Sequence, residues 1–174
     1  MANILDSERA RFDIEIIEAR GLKAADHHTF SRDTSDPYAK VFIKHDPASY
    51  YKTKVIDRNL NPTWNETCAF FPTREQMSRD SIRVQVYDKD KASKDDLLGE
   101  LKINLSWFLQ EEVNGLDAWY PLCNKKKGTE EESGWSKGKG EIHLKIMYVS
   151  PQNAKKKTKP KKIPKKKNEE SDEE

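Results

Sequence analysis

Three aspartates, Asp88, Asp90 and Asp96, crowd into one polar stretch running from Val86 through Tyr87-Asp88-Lys89-Asp90-Lys91-Ala92-Ser93-Lys94-Asp95-Asp96 to Glu100. The stretch leaves an alternating apolar run (Ile82, Val84, Val86) and enters another (Leu98, Leu101, Ile103, Leu105). Carboxylates this close repel one another unless fully solvated. A loop that accumulates them therefore suits a hard cation, and calcium takes about six to eight oxygen ligands, many of them carboxylates. One loop does not supply that many, so a second segment has to complete the cage. An EF-hand beginning at Asp88 is excluded, because its fifth, sixth and twelfth places call for Asp or Asn, Gly and Glu. Here they hold Ala92, Ser93 and Gly99. The competing reading is a charged hairpin loop with no ligand.

Other chemistry is not evident. No Ser-His-Asp set, Gly-rich phosphate loop or His-Glu-His pairing occurs, and His27, His28, His45 and His143 are scattered, so no enzyme is expected. Cys68 and Cys123 stand far apart, which argues against a zinc site or a disulfide framework.

Of 174 residues, 36% are charged, yet the net charge is only +2. The distribution says more than the total. From Pro151 to Glu174 there are nine lysines against five acidic residues, a surplus of four positive charges, which leaves the body at −2. The start, Met1-Ala2-Asn3-Ile4-Leu5-Asp6, has no basic region followed by an apolar core, so no secretory signal is expected. No apolar run is long enough to span a bilayer. The expected location is the cytoplasm.

The elements that must position the aspartates are strands. Phe12, Ile14 and Ile16 alternate with polar neighbours, the mark of a half-buried strand. Further strands are expected at Pro37–Lys44, Tyr51–Asp57, Trp64–Phe71, Ser81–Tyr87, Leu98–Leu105, Asp117–Leu122 and Gly140–Val149. Short helical turns are expected at Thr73–Arg79 and from Ser106 to about Glu112. Eight short strands with few helices indicate an antiparallel sandwich or barrel. The domain is expected over 11–150, after a leader at 1–10, with a long Lys-, Glu-, Ser- and Gly-rich loop at 124–139. The low-complexity tail at 151–174 has almost nothing to bury and is expected to stay disordered.

Five ordered motifs now carry a resemblance. They are Gly21-Leu22-Lys23-Ala24-Ala25-Asp26, Ser35-Asp36-Pro37-Tyr38-Ala39-Lys40-Val41, Lys52-Thr53-Lys54-Val55, Leu60-Asn61-Pro62-Thr63-Trp64-Asn65-Glu66, and the aspartate-rich loop. In this order, over about Phe12 to Val149, the chain resembles the calcium- and lipid-binding C2 domain family. The resemblance implies an all-β fold, an eight-stranded antiparallel β-sandwich with its calcium loops at one end. The Gly140–Ile146 segment resembles the strand that opens one of the family's two strand orders. Standing last here, it implies the permuted (type II) order, with the 124–139 loop beside the calcium loops and both termini at the other end.

The family's acidic ligand positions fall on Asp26, Asp36, Asp88, Asp90 and Asp96, all aspartate in this chain. Ser93 matches an auxiliary oxygen, and Asp33, inside a first loop longer than usual, is a candidate substitute. By resemblance, two or three calcium ions are expected, bridging this cage to headgroups of anionic phospholipids such as phosphatidylserine. Lipid contacts are expected at Phe30 on the first loop, at Lys91 and Lys94 on the third, and at Trp135. Tyr38, Lys40, Lys52 and Lys54 resemble the lysine-rich phosphoinositide face of conventional protein kinase C members, with Tyr87 as the aromatic partner. Asp95, acidic, departs from that pattern.

The implied activity is calcium-dependent membrane binding by a monomer in signalling or trafficking. The alternative is a calcium-independent module that engages a protein partner, or less readily nucleic acid, through the basic face and tail. The tail lysines also fit a nuclear address.

Overall fold

The computed structural model describes residues 9–25, 34–46, 48–90, 93–110, 115–125 and 135–151, excluding the side chains of Gln110, Lys125 and Trp135. Eight strands run in chain order: β1 (Arg11–Arg20), β2 (Pro37–Ile43), β3 (Tyr50–Lys52), β4 (Thr63–Phe70), β5 (Ser81–Asp88), β6 (Asp96–Asn104), β7 (Gly115–Lys125) and β8 (Trp135–Val149). Two short helices join them, α1 (Arg74–Arg79) and α2 (Trp107–Gln110).

Alternation in the sequence becomes alternation in burial. Phe12, Ile14 and Ile16 of β1, Ile82, Val84 and Val86 of β5, and Ile142, Leu144 and Ile146 of β8 all point into one core. The strand order is β3-β2-β5-β6-β7-β8-β1-β4, antiparallel throughout. Two four-stranded halves, β3-β2-β5-β6 and β7-β8-β1-β4, meet at a single register pair, Glu100 with Cys123. The strand expected to come last does so, lying between β7 and β1 as the permuted order requires. Because the pairing is antiparallel, the connections after β1, β3, β5 and β7 share one end of the sandwich. At the opposite end Arg11 pairs with Val149. There Phe108 of α2 stacks edge-on against Phe12 at 4.9 Å, and Tyr148 lies 4.9 Å from Phe12, closing the core with aromatic rings.

The Leu60–Glu66 motif braces the entry to the first loop. Ala19 N–H donates to Pro62 O (2.9 Å), Leu22 N–H to Leu60 O (3.1 Å) and Gly21 N–H to Asn61 Oδ1 (2.9 Å). Trp64 is buried behind them. Asn65 adopts φ 52°, a left-handed conformation that asparagine tolerates. It lies where β4 carries one residue more than β1 between the pairs Glu66–Ile16 and Thr63–Glu18.

Several boundaries differ from the sequence-based expectation. β3 stops at Lys52 rather than Asp57 because the Thr53 side chain takes over the backbone's role. Its hydroxyl accepts Ala39 N–H at 2.9 Å, where a ladder carbonyl would otherwise sit. The loop expected over 124–139 is shorter than its composition implies. Asn124 pairs with Ser136 and Lys125 with Trp135, so β7 and β8 run on and only residues 126–134 separate them. The glycines that read as loop instead build a bulge. Between the pairs Pro121–Glu141 and Cys123–Lys137, β8 carries three residues (Gly138, Lys139, Gly140) against one of β7 (Leu122), Gly140 takes φ 91°, and a Cβ on Gly138 would lie 2.9 Å from Leu122 O. The turn expected over Thr73–Arg79 is α1, with Thr73 and Gln76 forming a capping box. The second helix begins at Trp107, and Ser106 O accepts Leu109 N–H at 3.1 Å.

Candidate functional site

The site begins at the residues that knit the loop end together. Ser35 is fully buried; its hydroxyl accepts Ala25 N–H (2.9 Å) and donates to Lys23 O (3.0 Å), pinning the two sides of the first loop's base. Asp36 follows and touches two other segments. Its N–H donates to Asp88 Oδ1 at 2.6 Å, its carbonyl accepts Lys89 N–H at 3.0 Å, and its Oδ1 accepts Arg58 N–H at 2.7 Å. The exit from β5 and the β3–β4 connection are thereby tied to the start of β2.

Asp88 is 1% exposed, a costly place for a carboxylate without hydrogen-bond donors. The Asp36 N–H is one such donor, and across the ladder Asp88 faces Asp96 in register. Asp90 stands past the strand end, with Oδ2 accepting the Ser93 hydroxyl at 2.9 Å and its N–H on Asp95 Oδ1 at 3.2 Å. Of the residues expected as ligands, the structure thus joins Asp36 to Asp88, sets Asp96 opposite Asp88, and links Ser93 to Asp90.

All of these donors are carboxylate or hydroxyl oxygens, the chemistry of a hard cation. Among the described residues no group of three or more His, Cys, Asp or Glu is close enough to hold a metal. Asp26 and Asp33, the expected contributions of the first loop, lie outside the described residues, as do Phe30, Lys91 and the 152–174 tail. The donor type fits calcium; the described carboxylates alone do not close a cage.

Beside this end lies the outer face of β2, β3 and β5. Tyr38 and Tyr87, partners in the β2–β5 register, stack with ring centroids 5.7 Å apart. Lys52 Nζ sits 3.9 Å above the Tyr38 ring and Lys40 Nζ 4.2 Å above Tyr87, both within cation–π range. Lys54 lies past β3, exposed, with its N–H on Glu66 Oε1. Lys94 is exposed on the third loop, and Trp135, expected within a loop, opens β8.

The sequence shows Asp95 only as a mismatch, whereas the structure gives it three hydrogen-bonding partners. Its Oδ2 accepts the Tyr38 hydroxyl at 2.5 Å, and its Oδ1 accepts Lys89 Nζ at 2.8 Å and Asp90 N–H at 3.2 Å. Hydrogen bonds from Lys89 and Tyr38 hold its carboxyl down at about 2. Burial, then the Asp95 carboxylate, push the Tyr38 phenol well above its usual range. The only signal in sequence was the Lys89–Asp95 spacing across a hairpin loop. Arg58, which holds Asp36 through its backbone N–H, leaves no signature in its side-chain type.

The fold and this end of it define a class. The C2 domain model matches residues 10–122, and the chain belongs to the C2 domain family. Over 139 residues, 79% of the chain, it is 34% identical to a C2 and GRAM domain-containing protein of Arabidopsis thaliana and 34% identical to extended synaptotagmin-1 of Rattus norvegicus. It covers only 12% and 11% of those relatives, about an eighth of their length. Human synaptotagmin-7 is 43% identical over 96 residues, 54% of the chain and 22% of that protein. Among solved structures, the calcium-bound C2A and C2B domains of extended synaptotagmin 2 superpose with a TM-score of 0.62 at 26% identity, covering 81% of this chain and 46% of that one. The C2A domain of plant extended synaptotagmin 1 shares the fold, with a TM-score of 0.60 at 21% identity over 81% of this chain and 95% of that one. Among the described residues no helix is long and apolar enough to cross a membrane.

Proposed function

We propose that this chain binds anionic phospholipid membranes in response to calcium. The observation that carries the reading is the Asp36–Asp88 junction, where two segments 52 positions apart are held together at the end that also bears Asp90 and Asp96. Asp36, Asp88, Asp90 and Asp96, joined by Asp26 from the first loop, would hold the metal, with Ser93 as auxiliary. Bound calcium supplies a local positive charge whose remaining coordination places accept headgroup oxygens. The chain's own residues do the rest. In the absence of metal the carboxylates present a negative end, which an anionic leaflet repels. Backbone N–H groups of Asp36 and Arg58 hold two carboxylates in place before any ligand arrives. Lysines near an anionic surface add about 1 kcal/mol each. Phosphatidylserine is the expected headgroup, and recruitment is peripheral.

Calorimetry with calcium tests this on the wild type and on Asp88→Asn combined with Asp90→Asn. Asparagine keeps an acceptor oxygen for Asp36 N–H, so the junction survives while the charge is lost. Binding heat in the wild type and none in the double variant is expected, with calcium-dependent sedimentation on phosphatidylserine vesicles following the same pattern. No heat in the wild type, or equal heat in both, overturns the reading. Vesicle binding that persists in EDTA points instead to the calcium-independent alternative.

A further inference from the structure

We infer that Asp95 is a built-in counter-ion that occupies the Tyr38 end of the lysine face and turns this chain away from multiply phosphorylated lipid headgroups. The inference rests on the membrane-binding reading above and concerns which headgroup that surface accepts. Tyr38 projects from the outer side of β2, where a ligand would approach, yet it has no exposed surface. Lys52 covers its ring and Asp95 takes its only O–H, so the hydroxyl is not available to an incoming phosphate. Lys89, at the exit of β5, is likewise engaged with Asp95 at 2.8 Å. What remains is Lys40 over the Tyr87 ring and Lys52 over the Tyr38 ring, and the Tyr38 hydroxyl is itself bonded to the Asp95 carboxylate. A phosphate cluster settling between these lysines would lie beside that negative charge, and like charges at such range are repulsive. A singly anionic headgroup held at the aspartate end avoids it.

The hydrogen bond from Asp90 N–H to Asp95 explains why the carboxylate stays. Release would forfeit bonds to Lys89, Tyr38 and Asp90 together. Asp95→Asn removes the charge and keeps one of the two acceptor oxygens, enough for Asp90 N–H or for the Tyr38 hydroxyl but not for both, so a melting curve of the variant is read beside its binding to show that the fold is kept.

The test uses the full chain and phosphatidylcholine vesicles carrying either phosphatidylserine or a phosphatidylinositol bisphosphate. Asp95→Asn is expected to tighten phosphoinositide binding about tenfold, as removal of one nearby like charge implies, with phosphatidylserine binding unchanged. Asp117→Asn, which removes a charge from the other half of the sandwich, is expected to move neither. Adding Lys40→Ala and Lys52→Ala to Asp95→Asn is expected to erase the gain. The inference is overturned if Asp95→Asn brings no gain, or if Asp117→Asn brings the same gain. A gain that extends equally to phosphatidylserine, survives loss of both lysines, or appears only with free inositol trisphosphate and not on vesicles also overturns it. Should calcium fail to bring any variant to phosphatidylserine vesicles, the calcium reading falls separately. The same tenfold gain on phosphoinositide vesicles in EDTA is then still required of Asp95→Asn, and its absence overturns the inference.

Discussion

Asp95 links the chemistry of the site to the stability of the fold. The hydrogen bond from Lys89, then that from Tyr38, holds its carboxyl at about 2 rather than 3.8. The folded value lies below the ordinary one, so the associated stability is present in full above about pH 4 and is lost as pH falls through about 2. Melting temperatures measured across that window are expected to fall more steeply for the wild type than for Asp95→Asn. Equal slopes would mean that the contacts to Lys89 and Tyr38 do not favour the charged form in solution. Nearby, Tyr51 shows the complementary behaviour: its hydroxyl donates to Glu66 at 2.7 Å, and that bond, with burial, pushes the phenol up to about 12. Both cases show a strand-borne hydroxyl donating to a carboxylate of a different segment, Tyr38 to Asp95 and Tyr51 to Glu66 of β4, a relation no spacing in the sequence reveals.

At the scale of elements, the legible part of the fold was the part governed by alternation. Phe12-Ile14-Ile16, Ile82-Val84-Val86 and Ile142-Leu144-Ile146 announce strands because period two puts one set of side chains on one face. Strand ends were less legible where a side chain substitutes for the backbone, as at Thr53, or where glycine marks a bulge rather than a loop, as at Gly138 and Gly140. The candidate site divides the same way. Asp36, Asp88 and Asp96 were legible as carboxylates on loops, whereas the donors that orient Asp36 and Asp88 are backbone N–H groups, invisible to residue type. Thr53 offers a check at this scale. It is buried, accepts Ala39 N–H and donates to Lys54 O. Thr53→Val keeps the shape but leaves the Ala39 N–H without its acceptor, at an expected cost of about 1–3 kcal/mol. Urea unfolding measures it, and a change near zero would show that the β2–β3 edge has another way to satisfy that group.

For the molecule as a whole, the odd-numbered connections share one end, the one that bears Asp36, Asp88 and Asp96. Chain termini of the domain leave from the pole where Arg11 pairs with Val149, away from Asp36, Asp88 and Asp96. A globular fusion ahead of β1 is therefore expected to leave calcium-dependent vesicle binding unchanged, while the same insert between Lys125 and Trp135, at the aspartate pole, abolishes it. Co-sedimentation of the two fusions distinguishes the outcomes, and equal binding by both would contradict this orientation. The single Glu100–Cys123 junction carries one more consequence. A strip of eight strands, rolled over and joined internally at that point, still ends in two free borders, β3 and β4. Border strands are the usual route to self-association, and here Glu66 of β4 bridges the two, accepting Lys54 N–H and the Tyr51 hydroxyl. β3 limits the hazard by being three residues long with Lys52 on it, and β4 by the kink at Asn65. Lengthening that stub or straightening that bend is therefore expected to favour association between copies.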